Sequence, residues 1–277
     1  MLRPIGWNVS WNEEKYSSMK LISLNIWGGK MYEPLTDYIK ESSDATDIFC
    51  FQEIFRSPAG IKECRDVRPN IFSEVETLLP NFSSLFAPSQ DRFDNTGPVN
   101  FQITVGQGIF AKKNIKIESH GSVFIYKELN GGADEIENLP DNMQFIRFSV
   151  DNKKYIVCNL HGIAYPGHKL DTPERLAQSR KIVEFLQGED GTKILCGDFN
   201  LLPQTKSIAM IEETGMVNLI KKFKIERTRS RLSPFFGKPD FQKFADYTFV
   251  SPDVDVINFG VPDIDISDHM PMVLEFG

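Results

Sequence analysis

The stretch Lys-Ile-Leu-Cys-Gly-Asp-Phe-Asn at residues 193–200 indicates a short buried strand that ends in polar side chains. The apolar residues 194–196 are followed by Gly197, which allows a tight turn or the close approach of another backbone segment. Asp198 and Asn200 are one residue apart, so both side chains point the same way if the chain stays extended. An isolated Gly-Asp-x-Asn is usually only a polar loop. Whether Asp198 and Asn200 are functional therefore depends on which residues stand at the other strand ends.

Strand-like patterns recur along the chain, whereas helical patterns are few and dispersed. The 277 residues, with 41% hydrophobic residues and 22 Phe, provide a sizeable core. The predicted strands are residues 21–27, 47–51, 84–87, 108–112, 115–126, 143–150, 154–160, 194–196, 247–250, 255–259 and 272–276. The predicted helices are residues 34–40, 71–79, 173–186 and 207–213. This pattern predicts an α/β (α+β) fold in which two sheets pack face to face with helices outside. No interdomain linker is evident, so we predict one domain over residues 19–277 after an irregular extension, residues 1–18.

The net charge and the cysteines limit which partners and which cellular compartment are expected for the protein. A net charge of −7 argues against nucleic-acid binding through the whole surface but leaves room for a local basic patch. Cys50, Cys158 and Cys196 lie in apolar runs and are predicted to be buried free thiols. No CxxC spacing, signal-peptide pattern or apolar run of membrane-spanning length is present. We therefore expect a monomeric, cytoplasmic protein without a membrane anchor.

Polar side chains that can bind metal or phosphate stand at six predicted strand ends. They are Asn25, Glu53, Asn159 with His161, Asp198 with Asn200, Asp246, and Asp268 with His269. Each has an ordinary explanation alone, since a His or Glu after a strand is usually hydrogen-bonded or solvated. Six such ends without one Lys or Arg predict hydrolysis of a phosphoester with a divalent cation.

The residue types suggest a division of roles in that chemistry. Mg²⁺ prefers hard oxygen ligands, which Glu53, Asp268 and the amide oxygen of Asn25 can supply; Mn²⁺ and Ca²⁺ are alternatives. Asp198 suits orientation and deprotonation of the attacking water. The donors predicted to meet phosphate charge are Asn200, His161 and His269, with Asp246 holding His269 in one tautomer.

These motifs, in this order, resemble the endonuclease/exonuclease/phosphatase (DNase I-like) superfamily of Mg²⁺-dependent phosphoesterases. The matching pieces are Leu-Asn-Ile-Trp (24–27), Phe-Gln-Glu-Ile (51–54), Asn-Leu-His-Gly (159–162), Gly-Asp-Phe-Asn (197–200), Ala-Asp-Tyr-Thr-Phe-Val (245–250) and Ser-Asp-His-Met-Pro (267–271). The resemblance implies a four-layer sandwich with the site at one edge of two packed mixed sheets. It also implies the same roles for the residues named above. His161 matches the DNase, deadenylase and lipid or inositol phosphoesterase branches better than the AP endonucleases, some of which have Asp where this chain has Trp27.

A basic loop, residues 221–243, precedes Asp246 and is expected at the rim of the site. It holds five Lys and three Arg against Glu226 and Asp240. Arg227, Arg229 and Arg231 are predicted to bind substrate phosphate, the alternative being a solvated loop. The loop of residues 90–104 is a second candidate wall. By contrast, the helix of residues 172–186, with the nearby Lys169 and Arg175, is predicted to be structural.

The predicted partner is a phosphorylated substrate, either nucleic acid or a small phosphodiester. A nuclease or phosphodiesterase ranks first, and a phosphomonoesterase acting on inositol, sugar or nucleotide phosphates ranks second. A sphingomyelinase-like lipid phosphodiesterase ranks lower. A non-catalytic binding relative ranks last, because the residue types for catalysis are all present.

Overall fold

Two six-stranded sheets make up most of the computed structural model, which describes residues 18–58, 60, 64–65, 67–128 and 139–277. The strands are β1 (Met19–Asn25), β2 (Ile48–Arg56), β3 (Phe82–Asp91), β4 (Phe93–Asp94), β5 (Gly97–Pro98), β6 (Thr104–Lys112), β7 (Ile117–Tyr126), β8 (Asp141–Val150), β9 (Lys153–His161), β10 (Thr192–Asp198), β11 (Val217–Asn218), β12 (Asp246–Val250), β13 (Val256–Gly260) and β14 (Met272–Phe276). The helices are α1 (Tyr32–Ser43), α2 (Ile71–Leu78), α3 (Pro173–Gln187), α4 (Lys206–Glu212) and α5 (Leu219–Lys222). The predicted extension before residue 18 lies outside the described residues.

Each large sheet is mixed, with one parallel pair at its centre. The strand orders are β13-β14-β1-β2-β6-β3 and β11-β12-β10-β9-β8-β7. The pairs β1–β2 and β9–β10 are parallel, and the other pairs are antiparallel. The sheets pack face to face, and helices cover the outer faces. The predicted α/β class, with two packed mixed sheets flanked by helices, is confirmed.

The alternation along β1 shows how the layers form. Met19 and Leu21 belong to the core shared with the second sheet, whereas Ile22 and Leu24 belong to the core that includes residues of α1 and α2. Burial of each such side chain contributes about 1.5–3 kcal/mol. Asn25 continues the face of Leu21. The strand therefore ends by presenting a polar group toward the opposite sheet.

The helix α3 begins where the sequence predicts, and it supports a neighbouring segment. Thr172 caps its first turn by accepting a hydrogen bond from the backbone N–H of Arg175 (3.2 Å), and Pro173 takes a first-turn position. The fully buried Arg175 guanidinium donates to backbone carbonyls of the 163–170 segment. The predicted structural role of Arg175 fits these contacts.

Several local predictions differ from the structure. Residues 27–29 form a 3₁₀ turn rather than the end of β1, because the chain turns through positive φ at Trp27, Gly28 and Gly29. The predicted strand at residues 84–87 is the longer β3, and part of the predicted loop 90–104 forms the small β4–β5 hairpin. The predicted strand at residues 143–150 is longer than expected because β8 begins at Asp141, and residues 129–138 before it lie outside the described residues.

Two other expectations concern the thiols and the membrane. Cys50, Cys158 and Cys196 are buried free thiols, as predicted. Of the helices in the described part of the chain, none combines the length and apolar character needed to cross a membrane.

The close approach of β3 and β6 depends on Gly106. A Cβ atom at this position would lie 2.0 Å from the carbonyl oxygen of Ala87. We predict that Gly106→Ala lowers the free energy of unfolding by about 1–3 kcal/mol, because the strands must separate to admit the methyl group. Gly260→Ala is the control, since a Cβ there meets open space. Chemical denaturation measures both, and equal stability of the two variants would contradict the argument.

Candidate active site

A cavity of about 240 Å³ lies at the sheet edge where β9 and β10 end. Most of the predicted site residues line it, namely Glu53, His161, Asp198, Asn200, Arg229, Asp268 and His269. Asn25 and Asp246 contact lining residues from behind. Arg227 and Arg231 are not among its walls. The structure thus brings together the strand ends that are far apart in sequence.

The position of Asp198 follows from the glycine before it. A Cβ on Gly197, whose φ is 135°, would lie 2.0 Å from the carbonyl oxygen of Leu160. Glycine therefore allows β10 to approach β9 closely at its last residues. The carboxylate oxygen Oδ1 of Asp198 accepts the backbone N–H of Asn200 (2.8 Å), which fixes the rotation of the carboxylate.

The backbone turns at Asn200, whose φ is 54°, instead of staying extended. Its side chain nevertheless lines the same cavity as Asp198. The amide nitrogen donates to the carbonyl oxygen of Gly162 (3.0 Å), and the amide oxygen accepts from Nζ of Lys169 (2.5 Å). These contacts fix the orientation of the Asn200 amide.

Glu53 reaches the cavity through an irregularity in β2. The pairing of β2 with β6 shifts register between Phe51 and Ile54, and Glu53 has a φ of 50°. Such bulges re-aim a side chain at the edge of a sheet. Oε1 of Glu53 accepts from the amide of Asn25 (2.9 Å), and Oε2 accepts from Asn95 (3.3 Å) at the β4–β5 turn. Asn95 was not predicted, because nothing in its loop distinguishes it from an ordinary turn residue.

Asn25 joins the two carboxylates through its amide nitrogen. Besides Glu53, Nδ2 donates to Oδ2 of Asp198 (3.1 Å) across the two sheets. The amide oxygen accepts the backbone N–H of Trp27 (3.0 Å). In this orientation Asn25 positions Glu53 and Asp198, and its role as an oxygen ligand stays a prediction.

A buried His–Asp pair lies beside Asp198. Nδ1 of His269 is 2.9 Å from both carboxylate oxygens of Asp246. Nε2 faces the cavity, 3.6 Å from Oδ2 of Asp198 and 3.8 Å from Oδ2 of Asp268. Burial alone lowers the pKa of His269, but the negative charges of Asp246, Asp268 and Asp198 together outweigh it and raise that pKa to about 9. His269 is therefore a cation at neutral pH.

A second His–Asp pair faces the first. Nδ1 of His161 lies 3.2 Å from Oδ1 of Asp141, and Nε2 lies 3.5 Å from Oε1 of Glu53. Burial lowers the pKa of His161, yet the hydrogen bond to Asp141 and the nearby carboxylates hold that pKa well above its ordinary value. Asp141 was missed because the predicted strand begins only at residue 143, which leaves Asp141 in the loop before it. The alternation of β8 extends back to it and was the available signal.

The two imidazoles determine the state of Asp198. Burial by itself raises the pKa of this carboxyl group, but the charges of His269 and His161 outweigh burial and lower that pKa to about 2. Asp198 is thus an anion throughout the neutral range. Its carboxylate is placed to accept a hydrogen bond from water and so to orient that water.

The cavity has the donor set of a divalent-cation site. Side-chain atoms of Glu53, His161 and Asp198 lie within 4.8 Å of one another, and the two carboxylates are the candidate donors of this group, because the raised pKa of His161 favours its protonated form. Nε2 of His161 is buried without a hydrogen-bond partner of good geometry. Asp268 adds another carboxylate to the wall. Carboxylate oxygens suit Mg²⁺, Mn²⁺ or Ca²⁺, so the residues present fit such an ion.

The basic loop is anchored beside the cavity by its small residues. The hydroxyl of Thr228 accepts the backbone N–H groups of Ala245 and Asp246, and the hydroxyl of Ser230 donates to the carbonyl oxygen of Ser267. Between them, Arg229 forms a β-bridge with His269. This anchoring directs Arg229 into the cavity, where its NH1 lies 3.4 Å from Oδ2 of Asp268.

The other two predicted arginines are held elsewhere. NH2 of Arg227 pairs with Asp263 (2.6 Å), and NH2 of Arg231 pairs with Asp265 (3.4 Å). The sequence pattern of alternating Arg residues could not reveal these partners, which come from the segment before β14. Of the three, Arg229 is the one placed to contact a substrate in the cavity.

Lys169 lines the cavity, although its position in the sequence predicts a structural role. Its Nζ donates to the carbonyl oxygen of Ala164 (2.7 Å) as well as to Asn200, and the residue lines the cavity. Burial lowers the pKa of Lys169 to about 8, although the Asp198 charge opposes that shift. Its sequence position, seven residues beyond the His161–Gly162 motif, carried no signal for this role.

Comparison with known proteins agrees with the geometry. The model of the endonuclease/exonuclease/phosphatase family matches residues 22–269. Among curated proteins, none matches the sequence. A mannosyl-6-phosphatase from Bacteroides thetaiotaomicron has 18% sequence identity and a TM-score of 0.67, with 94% of this chain and 99% of that chain covered.

Two further solved structures cover the same share of this chain. A family protein from Leptotrichia buccalis has 14% identity and a TM-score of 0.71 over 94% of this chain and 99% of that chain. D. rerio TDP2 complexed with single strand DNA product has 16% identity and a TM-score of 0.65 over 94% and 99%. At these identities the likeness establishes the fold.

The pKa of Lys169 generates a prediction about pH. Below about pH 8 the lysine is charged and attracts phosphate, and this attraction is lost as pH rises through the pKa. We expect kcat/KM for bis-(p-nitrophenyl) phosphate to fall above pH 8, with a further fall near pH 9 as His269 loses its proton. Lys169→Met should abolish the first step, and Lys169→Arg should move it upward. An unchanged profile in both variants would count against the role.

The arginines provide a matched pair of variants. Side-chain exposure is 13% for Arg229 and 53% for Arg231. Arg229→Ala should raise KM for a phosphodiester about tenfold or more, because a charge-assisted hydrogen bond to phosphate is lost. Arg231→Ala should leave KM within about twofold. Steady-state kinetics measures both, and equal effects would refute the distinction.

Proposed function

Because the chain belongs to the endonuclease/exonuclease/phosphatase family, we propose that it is a divalent-metal-dependent hydrolase that cleaves phosphodiester bonds, as a nuclease or phosphodiesterase. The observation that carries the proposal is the position of Asp198. This ionised carboxylate lies between two imidazoles and is held by Asn25, at a cavity lined by further carboxylates. Such a set serves attack of water on an anionic phosphate.

In the proposed mechanism, Asp198 orients the attacking water in line with the leaving oxygen. Its pKa of about 2 makes it an acceptor that holds the water in place, rather than a strong base. The bond from Asn25 and the bond from the backbone of Asn200 keep both carboxylate oxygens in position. Positioning of this kind supplies much of the rate enhancement in phosphoryl transfer.

Cationic groups in the cavity would stabilise the charge that develops on the phosphate oxygens. His269 is held protonated by Asp246, and His161 is held by Asp141. Lys169 and Arg229 add two further positive charges, and Asn200 adds an oriented amide. Preorganised donors in a buried site act more strongly than they would in water.

Glu53 and Asp268 are the proposed metal ligands. Asn25 is proposed as a third ligand, and its amide would have to rotate so that the oxygen, rather than the nitrogen, faces the ion. Mg²⁺ is the proposed ion, with Mn²⁺ or Ca²⁺ as alternatives. When bound, such an ion neutralises phosphate charge that would otherwise repel an anionic nucleophile. Asn25 and Asn95 already orient the Glu53 carboxylate for such a role.

A phosphomonoesterase is the second candidate, and one observation favours it. The similar structure from Bacteroides thetaiotaomicron is a mannosyl-6-phosphatase, while D. rerio TDP2 is complexed with a DNA product. Both activities need the same placement of water, ion and cationic donors. The substrate groups beyond the phosphate decide between them.

The domain organisation, oligomeric state and cellular compartment are also proposed. Residues 19–277 are proposed to form one monomeric domain that acts in the cytoplasm. The free cysteines support that setting, because cysteines of secreted domains usually form disulfides.

Replacement of Asp198 tests the proposal. Asp198→Asn should lower kcat about 10²- to 10⁴-fold, since an amide has a single accepting oxygen and cannot keep the bonds from Asn25 and Asn200 while also accepting a hydrogen bond from the water. Asp37→Asn, on the exposed face of α1, is the matched control and should retain full activity. Hydrolysis is measured for a panel of substrates, namely single- and double-stranded DNA, RNA, bis-(p-nitrophenyl) phosphate and sugar or inositol phosphates. Full activity of Asp198→Asn, or wild-type activity that survives EDTA, would reject the mechanism.

A further inference from the structure

A second cavity of about 540 Å³ adjoins the proposed active site. Tyr165, Lys169 and Arg229 line both cavities, so the two spaces meet at the cationic side chains proposed to hold phosphate. The second space is within the size range of sites that bind small organic ligands. It is therefore placed to receive a group attached to the scissile phosphate.

Two aromatic side chains in this cavity are unusually exposed. Tyr165 is 42% exposed and Phe235 is 50% exposed, which places both among the exposed large hydrophobic side chains of the described residues. Both line the second cavity, one from the 164–169 segment and one from the basic loop. The neighbouring Phe236 is also exposed (44%), but it packs edge-on against Phe241 and is not among the residues that line this cavity. The exposed rings offer planar faces on which another ring can stack.

Polar groups accompany the rings. Ser233, Asp240 and Gln242 line the same cavity and supply a hydroxyl, a carboxylate and an amide. Gln242 is held in place by donating to the carbonyl oxygen of Gly167 (2.9 Å). These groups suit a planar ring with donors and acceptors around its edge. They do not suit a hydrocarbon chain, whose burial would leave polar groups without partners.

We propose that the second cavity binds the nucleobase of the nucleotide whose phosphate lies in the active site. This inference rests on the proposed phosphoesterase function and names its substrate class. Tyr165 and Phe235 provide the stacking surface, and Asp240 and Gln242 bond the edge of the base. Lys169 and Arg229 bind the phosphate at the junction. The base belongs either to a free nucleotide or to a single strand of nucleic acid.

A kinetic test uses two substrates that differ only in the bases. One is a thymidine dinucleotide, and the other is the same dinucleotide with abasic sugars, so charge and backbone are equal. Tyr165→Ala and Phe235→Ala should each lower the ratio of kcat/KM for the thymidine substrate to kcat/KM for the abasic substrate about tenfold, in line with the loss of one stacked base. Tyr165→Phe should retain the wild-type ratio. Ile257→Ala, an exposed apolar residue on β13, is the control.

The outcomes separate this inference from the proposed function. Equal losses on the two dinucleotides, or no loss on either, overturn the nucleobase site. If the wild-type protein shows no metal-dependent hydrolysis, the proposed phosphoesterase function is rejected instead. Ligand binding then tests the second cavity directly. Calorimetry should show that adenosine monophosphate binds at least about tenfold more tightly than ribose 5-phosphate, and that Tyr165→Ala removes the difference. Equal binding of the two ligands, or preference for the sugar phosphate, overturns the inference.

A third ligand distinguishes the two sources of the base. A short single-stranded oligonucleotide that binds more tightly than the mononucleotide, with the same dependence on Tyr165, assigns the cavity to nucleic acid. Equal affinity with that dependence assigns it to a free nucleotide. The proposal is overturned if Tyr165→Ala changes neither the affinity for the oligonucleotide nor the affinity for the mononucleotide.

Discussion

The hydrogen bond from Asn25 to Asp198 holds the ends of two strands from different sheets at a fixed separation. A second polar bridge, from Gln52 to Asn159 (2.6 Å), lies in the same layer between the sheets. Polar groups buried there are costly unless they find their partners, so the sheets have few acceptable relative positions. The separation of Glu53 and Asp198 depends on that restriction. The active site is in this sense a product of how the sheets pack.

The sequence predicted the parts of the site that belong to regular strands. Asp198 and His269 stand at strand ends or beside them in recognisable motifs, and the alternation of β1 and β10 predicts which way their neighbours point. Lys169 escaped prediction because its contact with Asn200 joins segments distant in the chain, whereas Asp141 was missed although the pattern of β8 extends back to it. Long-range pairing of this kind leaves no local pattern in composition or periodicity. Nor could the net positive charge of the basic loop show which of its arginines faces the cavity.

The basic loop illustrates how small residues determine what charged residues do. Thr228 and Ser230 are fully buried and hydrogen-bonded to the body of the protein, so the loop beside β12 has a defined path. That path sends Arg229 into the first cavity and leaves Phe235 at the second. One anchored segment therefore supplies wall residues to both cavities. Variation of the loop tip would change substrate preference without disturbing the sheets.

The positive φ angles of Trp27, Glu53 and Asn200 have a consequence for the evolution of the protein. Side chains in that backbone region cost free energy that glycine would avoid, most of all for Trp and Glu. Glycine at position 53 or 200 would relax the backbone and remove a functional side chain together. Selection for thermal stability alone would therefore erode this site. Its persistence requires a trade-off in which function is retained at some expense of stability.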